Sequence, residues 1–178
     1  MVKRLLGRLG IATVLALVLT LVLTTGSSAV SASRQVVMRD DCDPATFDAV
    51  IGPGTCLKDG STTFPEFVSQ LIAQGRAPAW RFAPDKLSLA AGGTVEAINI
   101  GGEIHTFTEV ANFGGGCIDF LNGLLGLTPV PECAGFPGGV FGATAVPAGG
   151  TLTVTLAPGV HRFECLIHPW MRATVAVS

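Results

Sequence analysis

The residues with the greatest capacity for chemistry lie near the C-terminus, in the run Phe163-Glu164-Cys165-Leu166-Ile167-His168-Pro169-Trp170-Met171. Cys165, His168 and Met171 stand at i, i+3 and i+6, where a β-type run gives way to a proline-containing loop able to turn three side chains towards one point. A thiolate, an imidazole nitrogen and a thioether are soft to intermediate donors, a combination that selects transition metals. One imidazole is missing from a complete set. His105, in Gly102-Glu103-Ile104-His105-Thr106-Phe107, lies in a separate β-type run that strand pairing could bring to the loop. His161 lies four residues before Cys165 on the same run, roughly 13 Å away at about 3.3 Å per residue, too far to share a metal with it. Cysteine with two histidines and a long axial methionine is the donor set of a mononuclear blue-copper centre suited to single-electron transfer.

Cysteine arithmetic supports that assignment. Five cysteines leave one without a disulfide partner, and Cys165 is the odd one. Loop closure favours the local pairs Cys42 with Cys56 and Cys117 with Cys133, although three connectivities of the four remain open. Singly, a cysteine, a histidine or a methionine in such a run is ordinary core filling. Jointly, that reading demands a free thiol in an oxidising compartment beside a chance His-Pro-Trp-Met run.

The elements that must position these donors follow from hydropathy. Between Asp41 and Pro78 the chain is turn-rich, with one short helix: Thr63 and Glu66 have capping-box spacing, Phe64, Phe67, Val68, Leu71 and Ile72 share a face, and Gly75 is a stop. From Ala79 onward the pattern changes to about eight short β-type runs: 80–83, 87–90, 94–100, 104–110, 140–145, 151–156, 160–165 and 173–177. Turns such as Ala91-Gly92-Gly93 and Pro147-Ala148-Gly149-Gly150 space them as an antiparallel Greek-key β-sandwich requires. The exception is Asn112 to Gly139, a long Gly- and Pro-rich segment enclosing Cys117 and Cys133; we read it as an ordered flap with a helical turn from Phe120 to Leu127. Trp80 is expected in the core.

The first 32 residues have the layout of a secretory leader: Lys3, Arg4 and Arg8, an apolar run from Ile11 to Leu23, then small polar residues, with cleavage expected after Ala32. A helix over that run would cover only about 20 Å, short of the roughly 30 Å hydrocarbon core, so the mature protein is not expected to span a membrane. The expected organisation is leader 1–32, N-terminal extension 33–78 and a single β-domain 79–178, exported to the periplasm or beyond the cell. Without the leader, eight basic residues face thirteen acidic ones, a net charge of −5. With no basic stripe, nucleic acid is excluded as a partner, and a basic protein partner is favoured.

The run Gly159 to Met171 resembles the C-terminal copper loop of the cupredoxins, the type 1 blue copper proteins, with the short spacing of amicyanin; plastocyanins keep the order with longer loops. The resemblance covers residues 79–178. It implies an all-β, cupredoxin-like sandwich with His105 on an inner strand, His105, Cys165 and His168 as equatorial ligands of one copper ion, and Met171 as its axial thioether. It further implies a hydrogen bond from the Thr106 side chain towards the ligand loop, and an approach of the Ile104 carbonyl to the metal. Function then follows as single-electron transfer to a redox partner docking near Pro169 and Trp170, with the rigid Pro169 helping to fix the loop. Copper storage or delivery is the alternative, disfavoured because Met38 and Met171 are the only methionines beyond the leader. Enzymatic readings are weaker still: multicopper catalysis needs further histidine clusters, a Cys/His hydrolase would have to spend these donors as nucleophile and base, and zinc would fill the same four positions.

Overall fold

The computed structural model describes residues 33–178. The leader and its cleavage at Ala32 lie outside the described residues. Two four-stranded sheets face each other. The first runs in the order β2 (Arg81–Ala83), β1 (Ser33–Arg39), β4 (Thr94–Asn99), β8 (Thr151–Thr155). The second runs β3 (Lys86–Leu89), β10 (Arg172–Val177), β9 (Gly159–Glu164), β6 (Thr108–Glu109).

Alternation places the core between the sheets. Val36 and Met38 on β1, Val95 and Ala97 on β4, and Ala173, Val175 and Val177 on β10 are buried while their neighbours point outward. Phe107 and Phe163 stack at 4.0 Å across the interior. Each such ring removes on the order of 2 kcal/mol worth of apolar surface from water.

Two features of the sheets differ from the pattern-based expectation. β1, in the segment read as an extension, is an interior strand of the first sheet, antiparallel to β2 and parallel to β4. β3 likewise pairs parallel to β10, so both sheets are mixed. Period-two hydropathy reveals a strand but not the direction of its neighbour.

The run 104–110 is two strands, β5 (His105–Thr106) and β6, because the chain changes sheets at Phe107, whose amide bonds Thr144 O. The strand expected at 140–145 is instead helix α4 (Gly139–Thr144), followed by the two-residue β7 (Ala145–Val146) that pairs with β5. Local contacts decide this: the Thr144 hydroxyl donates back to Val140 O at 2.7 Å, and Phe141 is held against Phe136 and the buried Val110, Val130 and Leu166.

The remaining helices lie outside the sandwich. α1 (Pro44–Val50) is capped by Asp43, and α2 (Phe64–Gln74) has the full Thr63/Glu66 capping box and a left-handed Gly75 at its end. Phe67 and Leu71 of α2 are buried, whereas Ile72 is exposed. The flap contains α3 (Asp119–Leu125) and a 3-10 turn at Pro131–Cys133. The disulfides are Cys42–Cys56 and Cys117–Cys133, leaving Cys165 free and buried. Such bonds belong in an oxidising compartment. Among the described residues no helix is long and apolar enough to cross a membrane.

Candidate metal centre

His105 arrives on β5, at one end of the sandwich, while Cys165 follows β9 directly and begins the loop that closes at β10. Two backbone bonds set that loop: Cys165 N donates to Met171 O at 3.0 Å, and Met171 N donates to His168 O at 2.8 Å. The loop therefore folds back on itself with Cys165 and Met171 side by side at its base and His168 at its turn. All four side chains are buried. His161 is elsewhere, its ring nitrogens on Glu109 at 2.6 Å and Ala157 O at 2.8 Å.

His105, Cys165 and His168 form the one grouping among the described residues whose donor atoms converge on a common point. His105 Nδ1 and His168 Nδ1 are 3.2 Å apart, and Cys165 Sγ stands 3.9 and 3.8 Å from them. A triangle with those sides has its circumcentre about 2.1 Å from every corner, inside the range of metal–nitrogen and metal–thiolate bonds. The donor triangle thus fits a first-row metal ion without rearrangement.

The outer nitrogens explain why the inner ones point at one another. His105 Nε2 lies 2.9 Å from Asp40 Oδ2, a buried carboxylate at the end of β1. That acceptor holds the ring proton on Nε2 and leaves the Nδ1 lone pair for a metal. Asp40 is itself fixed by the amides of Gly102 (2.8 Å) and Glu103 (3.1 Å). A Cβ on Gly101 would collide with the Asp40 carboxylate, and one on Gly102 would press on the Cys42–Cys56 disulfide, so this approach requires both glycines. His168 Nε2 faces a second buried carboxylate, Glu103 Oε2, at 3.6 Å, and the same oxygen accepts from Trp80 Nε1. Asn99 ties the turn together, donating to Glu103 O and Val146 O and accepting from Gly101 N.

The thiolate side is held by backbone. Thr106 N points at Cys165 Sγ at 3.4 Å, and Thr106 Oγ1 accepts from Leu166 N at 2.8 Å, the bond towards the ligand loop that the resemblance implies. From the flap, Cys117 N donates to Leu166 O at 2.6 Å; a Cβ on the preceding Gly116 would overlap that carbonyl. Trp170 packs on Phe67 and donates to Ala77 O at 3.2 Å, which anchors the loop to the end of α2.

These neighbours bias the titration of the site. Burial raises the Cys165 thiol, but the two imidazoles outweigh burial and hold it well below the ordinary thiol range. Burial lowers His105, yet Asp40 and the Cys165 sulfur together push it up to about 9. Burial also raises Asp40, but its bonds from His105, Gly102 and Glu103 leave it below the usual carboxylate value. Glu103 is raised by burial, against the pull of His168 and Trp80. A site this rich in electron pairs holds protons when metal-free and releases them to a metal.

The fold is cupredoxin-like. Two facing four-stranded sheets carry the His-Cys-His cluster at one end, with three candidate donors on the loop between β9 and β10. Similar solved structures include a purple cupredoxin from Nitrosopumilus maritimus, at 15% identity over 81% of this chain and 98% of that one, TM-score 0.43. Plastocyanin from Dryopteris crassirhizoma matches at 15% identity over 82% and 100%, TM-score 0.41. A mutant amicyanin in its Cu(I) form matches at 19% identity over 55% and 73%, TM-score 0.36. No family model matches the sequence, and the comparison with curated proteins finds no match.

Asp40, Glu103 and Asn99 escape a reading of the sequence. Glu103 carries a faint signal, since residues two apart in an extended run share a face and His105 is two residues on. Asp40 stands in Asp40-Asp41-Cys42-Asp43, which reads as a solvated acidic turn.

Proposed function

We propose that the chain is an exported type 1 copper protein that carries single electrons. His105, Cys165 and His168 would hold the ion, and Met171, buried beside Cys165, would offer a thioether as a fourth donor. A bound copper ion would contribute a one-electron change of state with little change in geometry. The protein's part is to keep that geometry and exclude water. The Asp40 and Glu103 carboxylates orient the imidazoles, the Thr106 amide and hydroxyl fix Cys165 and Leu166, and Pro169 stiffens the turn. A four-donor set leaves no open position for a substrate, which favours electron transfer over catalysis.

The single observation that carries this reading is the buried donor triangle with sides of 3.2 to 3.9 Å. Burial of every donor also disfavours rapid delivery of the ion to an acceptor. A redox partner would approach the half-buried edge of Trp170, beside the buried Pro169. The leader, cleaved near Ala32, would send the mature chain to the periplasm or the cell exterior, where both disulfides persist.

The test is the visible spectrum of the copper-loaded mature protein. An intense thiolate-to-Cu(II) band is expected, and Cys165→Ser should abolish it. A colourless Cu(II) form of the natural sequence would overturn the assignment. Stopped-flow mixing of the reduced protein with an oxidised carrier should then show exchange, and its absence would return the reading to copper storage.

A further inference from the structure

Beside the candidate metal centre lies a half-open cleft of about 830 Å³, between α1 and α2 on one wall and α3 and the ligand loop on the other. That volume falls within the range of small-molecule sites. Phe47, Phe67, Phe120, Leu121 and Ile167 make its walls almost wholly apolar, and none of the lining residues is lysine or arginine. Val50, Ile51, Leu57, Ile104 and Phe120 are half of the exposed large apolar side chains among the described residues, and all five line this one hollow. Scattered exposed apolar residues are ordinary, but their gathering around a concavity marks a binding site.

The polar content of the cleft narrows the occupant. Glu103 and His168 both line it. One Glu103 oxygen is engaged by Trp80 Nε1 and faces His168, while the other makes no hydrogen bond among the described residues. A carboxyl oxygen keeps a lone pair that accepts in either protonation state, so the complement is a ligand donor. An anion meets the Glu103 side chain with no lysine or arginine to offset it. An ammonium group would give up its hydration for walls almost wholly apolar, where its three donors would find too few acceptors. A hydroxyl brings one donor and little desolvation cost, and an aromatic ring suits walls of phenylalanine.

We propose that this cleft binds an uncharged lipophilic aromatic alcohol of the phenol or hydroquinone class, its ring among Phe47, Phe67 and Phe120 and its hydroxyl donating to Glu103. The proposal stands on the cleft alone and does not require the copper assignment. Calorimetric titration of trimethylhydroquinone into the full mature chain, both metal-free and loaded with Cu(I), tests it, since neither form can oxidise the probe. Saturable binding is expected in both forms. The dimethyl ether of the probe, which lacks the donor, should bind about tenfold more weakly or worse. Ile51→Trp, at the exposed rim, should weaken the hydroquinone by a similar factor without unfolding the protein, and Glu103→Gln, whose one amide oxygen would be taken by Trp80 Nε1 so that its NH2 faces the cleft, should erase the preference over the ether. No binding up to about millimolar probe, equal binding of hydroquinone and ether, or a preference for 3-phenylpropylammonium would each overturn it.

Discussion

The segment before Pro78 and the flap from Asn112 to Gly139 both close on the same candidate metal centre, and each is stapled by one disulfide, but they reach it through different groups. The N-terminal segment works through side chains. Asp40 takes the outer nitrogen of His105, the Cys42–Cys56 bond packs on Gly102 beside Glu103, and Phe67 meets the His168 ring edge-on at 6.2 Å. The flap works through backbone: Cys117 N holds Leu166 O, and Gly116 admits that carbonyl at a distance no side chain would allow. One region sets the charge around the imidazoles, and the other sets the shape of the loop that carries the thiolate. Imidazole charge and loop shape are therefore controlled from opposite sides of the candidate site.

Opening each disulfide in turn gives the largest effects and the first chance to break this comparison. Both bonds close loops of similar length, with sequence separations of 14 and 16 residues, so removing either pair as alanines should cost about 3 kcal/mol in denaturant unfolding. The readouts should then part company. Loss of Cys42–Cys56 should move the reduction potential of the copper form, because it loosens the turn that holds Asp40 and Glu103. Loss of Cys117–Cys133 should broaden the thiolate band while leaving the potential nearly in place. Equal shifts of potential in the two variants would mean the regions are not specialised.

A smaller and sharper effect is expected from Asp40→Asn, which preserves most of the shape and removes the charge. Loss of such a carboxylate behind a histidine ligand weakens metal affinity about 10- to 100-fold. Because the lost charge is negative, the oxidised ion should suffer more than the reduced one, and the potential should rise, by ~60 mV for each tenfold difference. Competition titration for affinity and voltammetry for potential would check both halves. An unchanged potential would mean that Asp40 serves only to position His105.

The different legibility of the two regions has the same physical root. The convergence of Cys165 and His168 can be read from the sequence because one short loop fixes their spacing covalently, and that of His105 because too few histidines leave little choice. Asp40 could not, since it meets His105 across 65 residues and its neighbours give it no mark: Asp41 bonds Ser61 and Thr62, and Asp43 caps α1. Three acids in four residues take three unrelated roles, and only the tertiary fold separates them. Strand β1 was hidden in the same way, since its alternation at Val36 and Met38 spans too few residues to stand out. The flap, by contrast, announced its order through its two cysteines, but α4, which follows it, depends on the packing of Phe141.

The smallest expected effect serves as the control for both regions. His161 sits on β9, away from either, with its ring on Glu109 and Ala157 O. Those two bonds raise its pKa above the ordinary 6.5 despite some opposing burial. A histidine raised on folding contributes stability that is fully present below its unfolded value of about 6.5 and is lost as the pH climbs through the higher folded value. His161→Gln should therefore destabilise the protein near pH 5.5 and be close to neutral near pH 9. With Glu109 half exposed to solvent, the difference should be only about 0.2–1 kcal/mol. Thermal melts at the two pH values would measure it, and the copper spectrum and potential should not move at either. If they did, β9 would be transmitting charge to Cys165 four residues away, and the division of labour between the N-terminal segment and the flap would have to include the strand between them.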